Sequence, residues 1–249
     1  MNLTPDSLQL YLIIASITAL AGTLQSVVGF GFNLVAAPLL IFFLKDPKEV
    51  VPALHLSWFL LGLAICLRLW HQMNARRIAL WFMSALPAVF IGVWVLSQLD
   101  ESNEHFLNRA IGSVTILATI AIALKFHRPF RHEKPWILAS GGLSGLLCGS
   151  TGMSGPPLVL LGLNQGWPAA QFRADLLGYF TLLSIATIGI CQWQGLITET
   201  SIRYAVAGTP GLTIGFIAGA LIAKHIHGNR FRYAAICLIC ATGVLPWLA

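Results

Sequence analysis

Apolar residues run in long blocks along this chain, at 8–44, 50–70, 78–99, 106–124, 136–163, 172–193, 203–223 and 231–249, with short polar breaks between them. Six blocks have the 19–22 residues of one membrane-crossing helix, since about 20 residues span a bilayer core. The other two are longer, 37 residues at 8–44 and 28 at 136–163. Each holds a Gly-rich break that ends on proline, "GTLQSVVGFGFNLVAAPLL" and "GGLSGLLCGSTGMSGPPLVLL". Non-helical backbone at membrane depth is tolerated only where protein buries it or where it lines an aqueous cavity. The two odd blocks therefore mark a site.

Composition agrees with the blocks. The 249 residues are 57% hydrophobic and 10% charged, with a mean hydropathy of +0.78. A soluble domain carries roughly 25% charged residues, and a disordered chain is poor in apolar ones, so both classes are excluded. The formal charge of +6 would suit a nucleic-acid partner if it lay on one solvated face. Instead, basic residues gather in three breaks: Arg68, Arg76 and Arg77; Lys125, Arg128, Arg131 and Lys134; Lys224, Arg230 and Arg232. That is a positive-inside pattern, an orientation signal. The N-terminus lacks the Lys or Arg of a signal peptide and holds Asp6, so it reads as a retained membrane helix. The cysteines, including the pair Cys237 and Cys240, sit in apolar runs and read as core packing, with no motif for a metal or a cofactor.

The two long blocks repeat one another. Gly22 matches Gly142 and Gly29 matches Gly149 at an offset of 120, and Pro38 matches Pro157 after a one-residue gap. Further along, Pro47 matches Pro168, Pro87 matches Pro210 and Gly92 matches Gly215. Placing the basic breaks in the cytoplasm forces 136–163 to begin and end there, and 8–44 to begin and end outside. The expected fold is an all-α integral membrane protein built as an inverted repeat. Each half is a broken or re-entrant helical hairpin plus three transmembrane helices. The halves are 1–126 and 135–249, joined by a cytoplasmic linker at 127–134. Such repeats with Gly- and Pro-broken helices are the signature of a secondary transporter whose site lies at the repeat interface. Gly141, Gly145, Gly215 and Gly219 read instead as close-packing positions.

Each break leaves free N–H groups at the start of the half-helix that follows it, where about half a positive charge resides. Gln25, Ser26 and Asn33 in the first break, and Ser150, Thr151 and Ser154 in the second, add neutral hydrogen-bonding groups. Gly29, Gly31, Gly149 and Gly152 let a ligand approach the backbone. The set suits a small oxyanion. These duplicated segments, in a chain of this length, resemble the TauE/SafE family, the sulfite exporter or toluene-sulfonate uptake permeases. The resemblance implies a multi-pass protein of the bacterial inner membrane. It would carry sulfite or organosulfonates, with an ion gradient as driving force and export as the expected direction. The family commonly has a run of glycines in each break, where this chain has Phe32 and Asn33, then Ser150, Thr151 and Met153.

Ionisable residues inside membrane spans are functional candidates by default. His55 follows Pro52 early in its span, and Arg173 and Asp175 enter the repeat-equivalent span at nearly the same depth. Arg173 is the candidate to balance substrate charge, or else an interface anchor compensated by Asp175. Asp175 or His55 is the candidate proton carrier, with Pro38 and Pro157 as gating positions. The tryptophans, among them Trp58 and Trp81, read mostly as an interfacial belt. Expected partners are the sulfur anion, protons and membrane lipid, with a homodimer as an option and no nucleic acid. Rival functions are an uptake permease, a passive anion channel, or an intramembrane serine protease. The last rests on "GMSG" at Gly152–Gly155, where the only downstream histidines, His225 and His227, stand at a span end.

Overall fold

The computed structural model describes residues 8–98 and 130–223, with Ser113 and Ile116 between them. The apolar blocks 106–124 and 231–249, Cys237, Cys240, His225, His227 and linker positions 127–129 lie outside the described residues, apart from those two positions. Among the described residues the fold is all-α. Eight helices follow in order: α1 (Leu8–Val28), α2 (Phe32–Leu44), α3 (Pro47–Leu69), α4 (Ala75–Ser97), α5 (Glu133–Thr151), α6 (Gly155–Gln165), α7 (Ala169–Trp193) and α8 (Glu199–Ala223). Five of them, α1, α3, α4, α7 and α8, are long and apolar enough to cross a membrane.

Both long apolar blocks break into two helices. α1 has 21 residues and α2 has 13, while α5 has 19 and α6 has 11. At 1.5 Å per residue the second members reach about 20 and 17 Å, short of the roughly 30 Å bilayer core. Each first helix stops by the same device. The N–H of Gly29 donates to the Gln25 carbonyl and that of Gly152 to the Cys148 carbonyl, with φ of 91° and 76° respectively. Left-handed glycine closing a helix in this way satisfies an orphan carbonyl that would otherwise face the apolar interior. The turn made by Gly29 is thus made in the second block by Gly152 and not by Gly149, which is helical. Nor does Pro38 end the first break, because α2 begins at Phe32 and holds Pro38 inside it. Pro157, by contrast, stands in the first turn of α6, where a missing N–H costs nothing.

The most extensive packing crosses between the halves of the chain: α1 lies along α8, and α5 along α4. Both seams are made of small residues. Gly211, Gly215 and Gly219 of α8 meet Ala15, Ala19 and Thr23 of α1, while Gly141, Gly145 and Gly149 of α5 meet Trp81, Ala85 and Val89 of α4. Backbones come close enough for side-chain hydroxyls to bond across the seam, with Thr18 Oγ1 donating to the Gly208 carbonyl at 2.9 Å. The close-packing role expected of Gly141, Gly145, Gly215 and Gly219 is what these positions do. A Cβ on Gly215 would collide with the Ala19 carbonyl oxygen. Gly215→Leu is therefore expected to destabilise the fold by about 1–3 kcal/mol or more through overpacking. Unfolding in detergent measures it, and unchanged stability would mean that the seam is looser than these contacts.

The tryptophans divide. Trp81 is completely buried and Trp58 nearly so, a correction to the belt reading for these two. Trp81 stacks edge-on with Trp167 and Tyr179 and donates to Ser140 Oγ, satisfying its indole N–H. Trp70, Trp94, Trp136 and Trp193 are exposed, as interfacial tryptophans would be.

Candidate functional site

The two breaks meet at one cavity. Gln25, Gly31, Phe32, Asn33 and Leu34 of the first break line it together with Met153, Ser154 and Gly155 of the second. His55 and Trp58 of α3 close one side, Phe180 and Ser184 of α7 another. The cavity holds about 400 Å³ of space free of atoms, part of it open to solvent. A direct bond ties the breaks together, since Asn33 Nδ2 donates to the Gly152 carbonyl.

Each break has its own scaffold. Gln25 accepts from the Phe32 N–H at 2.9 Å through Oε1 and reaches the Gly29 carbonyl at 3.4 Å through Nε2. It therefore spans the break and caps the first turn of α2, whose own N-cap is Gly31, without a side chain. Arg173 comes from α7, and its Nη2 donates to the Ser26 carbonyl at 2.6 Å. A cation there complements the negative end of α1. Its side chain fills the space a Cβ on Gly29 would need. In the second break, Ser144 Oγ donates to the Ser154 carbonyl at 2.6 Å and accepts from the Tyr179 hydroxyl at 2.9 Å. Ser154 itself, 7% exposed, is the N-cap residue of α6 but makes no capping bond. Its hydroxyl has no hydrogen bond among the described residues and is left to the cavity.

His55 is buried at the cavity wall. Its Nδ1 lies 3.0 Å from Ser184 Oγ and its Nε2 lies 3.5 Å from Cys148 Sγ, which in turn lies 3.5 Å from Thr187 Oγ1. Cys148 thus packs in the core, as expected, but as the neighbour of the buried histidine.

Of the residues singled out in the sequence, Gln25, Gly31, Asn33, Ser154 and His55 line the cavity. Ser26, Gly29, Gly152 and Arg173 touch its framework. Gly149 packs against α4 at Val89 and Val93. Ser150 and Thr151 donate to their own helix at Leu146 and Leu147. Asp175 does not compensate Arg173. It is fully buried and pairs with Arg77 at 2.6 Å, while its other oxygen accepts from the Asn74 N–H at 2.6 Å. Arg77 also lies over the Trp167 ring, 3.7 Å from its centroid. Phe32, Leu34, Trp58, Met153, Gly155, Phe180 and Ser184 also line the cavity and were missed. The only sequence signal for them is the spacing of His55 with Trp58 and of Phe180 with Ser184, which puts each pair on one helix face. Among the described residues, no three metal-ligating side chains come together.

The sequence model of the family described as "Sulfite exporter TauE/SafE" matches residues 14–245. The chain belongs to the TauE/SafE family. A Cupriavidus necator protein named "Probable sulfite/organosulfonate exporter TauE" is 29% identical over 204 residues, covering 80% of this chain and 79% of the relative. No solved structure matches it significantly. Membership in TauE/SafE makes the chain a multi-pass membrane transporter and not an enzyme, which disposes of the protease reading of Gly152–Gly155.

Proposed function

We propose that this TauE/SafE protein is a secondary transporter that exports sulfite or organosulfonates across the bacterial inner membrane by alternating access. The observation that carries the reading is the cavity where both helix breaks meet, lined by Asn33, Ser154 and the starts of α2 and α6. Substrate class and direction draw support from the name of the C. necator relative. The inverted repeat of 1–126 and 135–249 draws support from the packing, since α1 on α8 and α5 on α4 are repeat-equivalent pairs. In this reading Asn33 and Ser154 hold the anion with the backbone of Gly31 and Gly155. Gln25, Ser26, Gly29, Gly152 and Arg173 keep the breaks in shape, and His55 carries a coupling proton. Asp175 acts as a gate through its hold on Arg77 and Asn74.

The test is direct. The purified protein, offered sulfite, simple sulfonates and thiosulfate, is expected to show a thermal shift and saturable uptake in proteoliposomes that depends on a proton gradient. No shift and no uptake with any of them would overturn the substrate class. Ohmic single-channel currents would replace the carrier with a channel.

A further inference from the structure

A second cavity opens where α4 and α5 begin, and it shares no lining residue with the first. Arg76, Arg77 and Leu80 of α4 line it together with Glu133, Lys134 and Ile137 of α5. It holds about 560 Å³ of space free of atoms, part of it open to solvent. The charges in its wall are arranged for an anion. Arg77 is fixed from behind, by Asp175 at its Nη1 and by the Trp167 ring against its guanidinium. The Glu133 carboxylate is turned to the same tryptophan: its Oε1 accepts from Trp167 Nε1 at 2.9 Å and from Gln165 Nε2 at 3.1 Å. Both acidic groups are thus committed within the protein, while Arg76 and Lys134, both exposed, bring cations to the rim. The two helix starts add to the same sign of potential.

Depth and floor narrow the ligand. Leu80 and Ile137 lie one turn further into their helices than Arg76 and Glu133, on the same faces, so the wall passes from charged to apolar toward the membrane. Trp136, next to Ile137 in the chain, is 47% exposed and stacks on Phe130 at 4.0 Å. Exposed aromatic rings beside a span end mark the level of the lipid headgroups. The breaks that hold these residues are the basic ones expected in the cytoplasm, where the leaflet is rich in anionic lipid and basic pockets between helices take its headgroups. A free phosphate ester would match the cations but leave the apolar floor uncovered.

We infer that this cavity binds the headgroup of an anionic phospholipid, with the phosphate between Arg76 and Lys134, and that the lipid fastens the starts of α4 and α5 together. The site stands apart from whatever the transport cavity carries.

Thermal unfolding of the full chain in nanodiscs tests this, with phosphatidylcholine alone and with phosphatidylglycerol mixed in. A ligand that binds the folded state raises Tm, so phosphatidylglycerol is expected to raise it by several degrees in the parent. Arg76→Gln combined with Lys134→Gln is expected to lose more than half of that shift and to retain about tenfold less phosphatidylglycerol in native mass spectrometry. Arg68→Gln combined with Arg131→Gln removes the same charge from exposed residues of the same two breaks and is expected to keep both the shift and the lipid. Equal loss in the two double variants, or loss in neither, would overturn the inference, because the lipid would then answer to overall charge or bind elsewhere. Glycerol phosphate added to phosphatidylcholine discs is expected to leave Tm unchanged. A shift as large as that from phosphatidylglycerol, through the same two residues, would overturn the lipid assignment in favour of a soluble phosphate ester.

Discussion

Asp175→Ala is expected to destabilise the protein by about 3–5 kcal/mol, the cost of leaving one partner of a buried ion pair alone. The Asp175 side chain is fully buried and that of Arg77 is 11% exposed, so water cannot repair the loss. The carboxylate also accepts from the Asn74 N–H at the start of α4, an orphan donor that has no other partner in the helix. Asp175→Ala combined with Arg77→Leu is expected to recover much of the loss, because the isolated guanidinium is removed with its partner. Equilibrium unfolding of the single and the double variant in detergent measures this. A single variant as stable as the parent would show that the pair is solvated. A related construction stands elsewhere in the chain: Glu49 of α3 accepts from Thr198 Oγ1 just before α8. In both places a carboxylate from one half holds the start of a long helix in the other.

The membrane helices were legible because period and length alone define them. The blocks at 50–70, 78–99, 172–193 and 203–223 became α3, α4, α7 and α8 with ends shifted by a few residues. That the two unequal blocks must break was also legible, since Gly, polar residues and Pro coincide there. Where the second one breaks was not. Glycine serves equally for a left-handed turn and for a close helix contact, so Gly149 and Gly152 look alike in sequence. Only the neighbour distinguishes them, Val89 for the first and the Cys148 carbonyl for the second. The partner of Asp175 was hidden for a similar reason. Arg173 is two positions away but on another face of the helix, whereas Arg77 arrives from a different element altogether. The missed part of the cavity wall, Phe32, Leu34, Trp58, Met153, Phe180 and Ser184 beside Gly155, consists of residue types that any apolar segment carries.

Replacing both Asn33 and Ser154 with leucine is expected to abolish anion-dependent thermal stabilisation and uptake while the protein still folds. The structural loss is modest: one hydrogen bond from Asn33 Nδ2 to the Gly152 carbonyl, worth about 0.5–1.5 kcal/mol. The Ser154 side chain contributes no bond to the fold among the described residues, and it is the Ser154 carbonyl, retained in the variant, that accepts from Ser144. Function loses far more. Two leucines would fill the space between the helix starts, the place proposed here for the anion, and replace neutral hydrogen-bonding groups with apolar ones where an unsolvated charge is costly. Binding of methanesulfonate to the parent and to the double variant at equal folded fraction separates the two effects. Retained binding in a folded variant would move the anion site away from the meeting point of the breaks, and the two helix starts there would then be structural features of the hairpins alone.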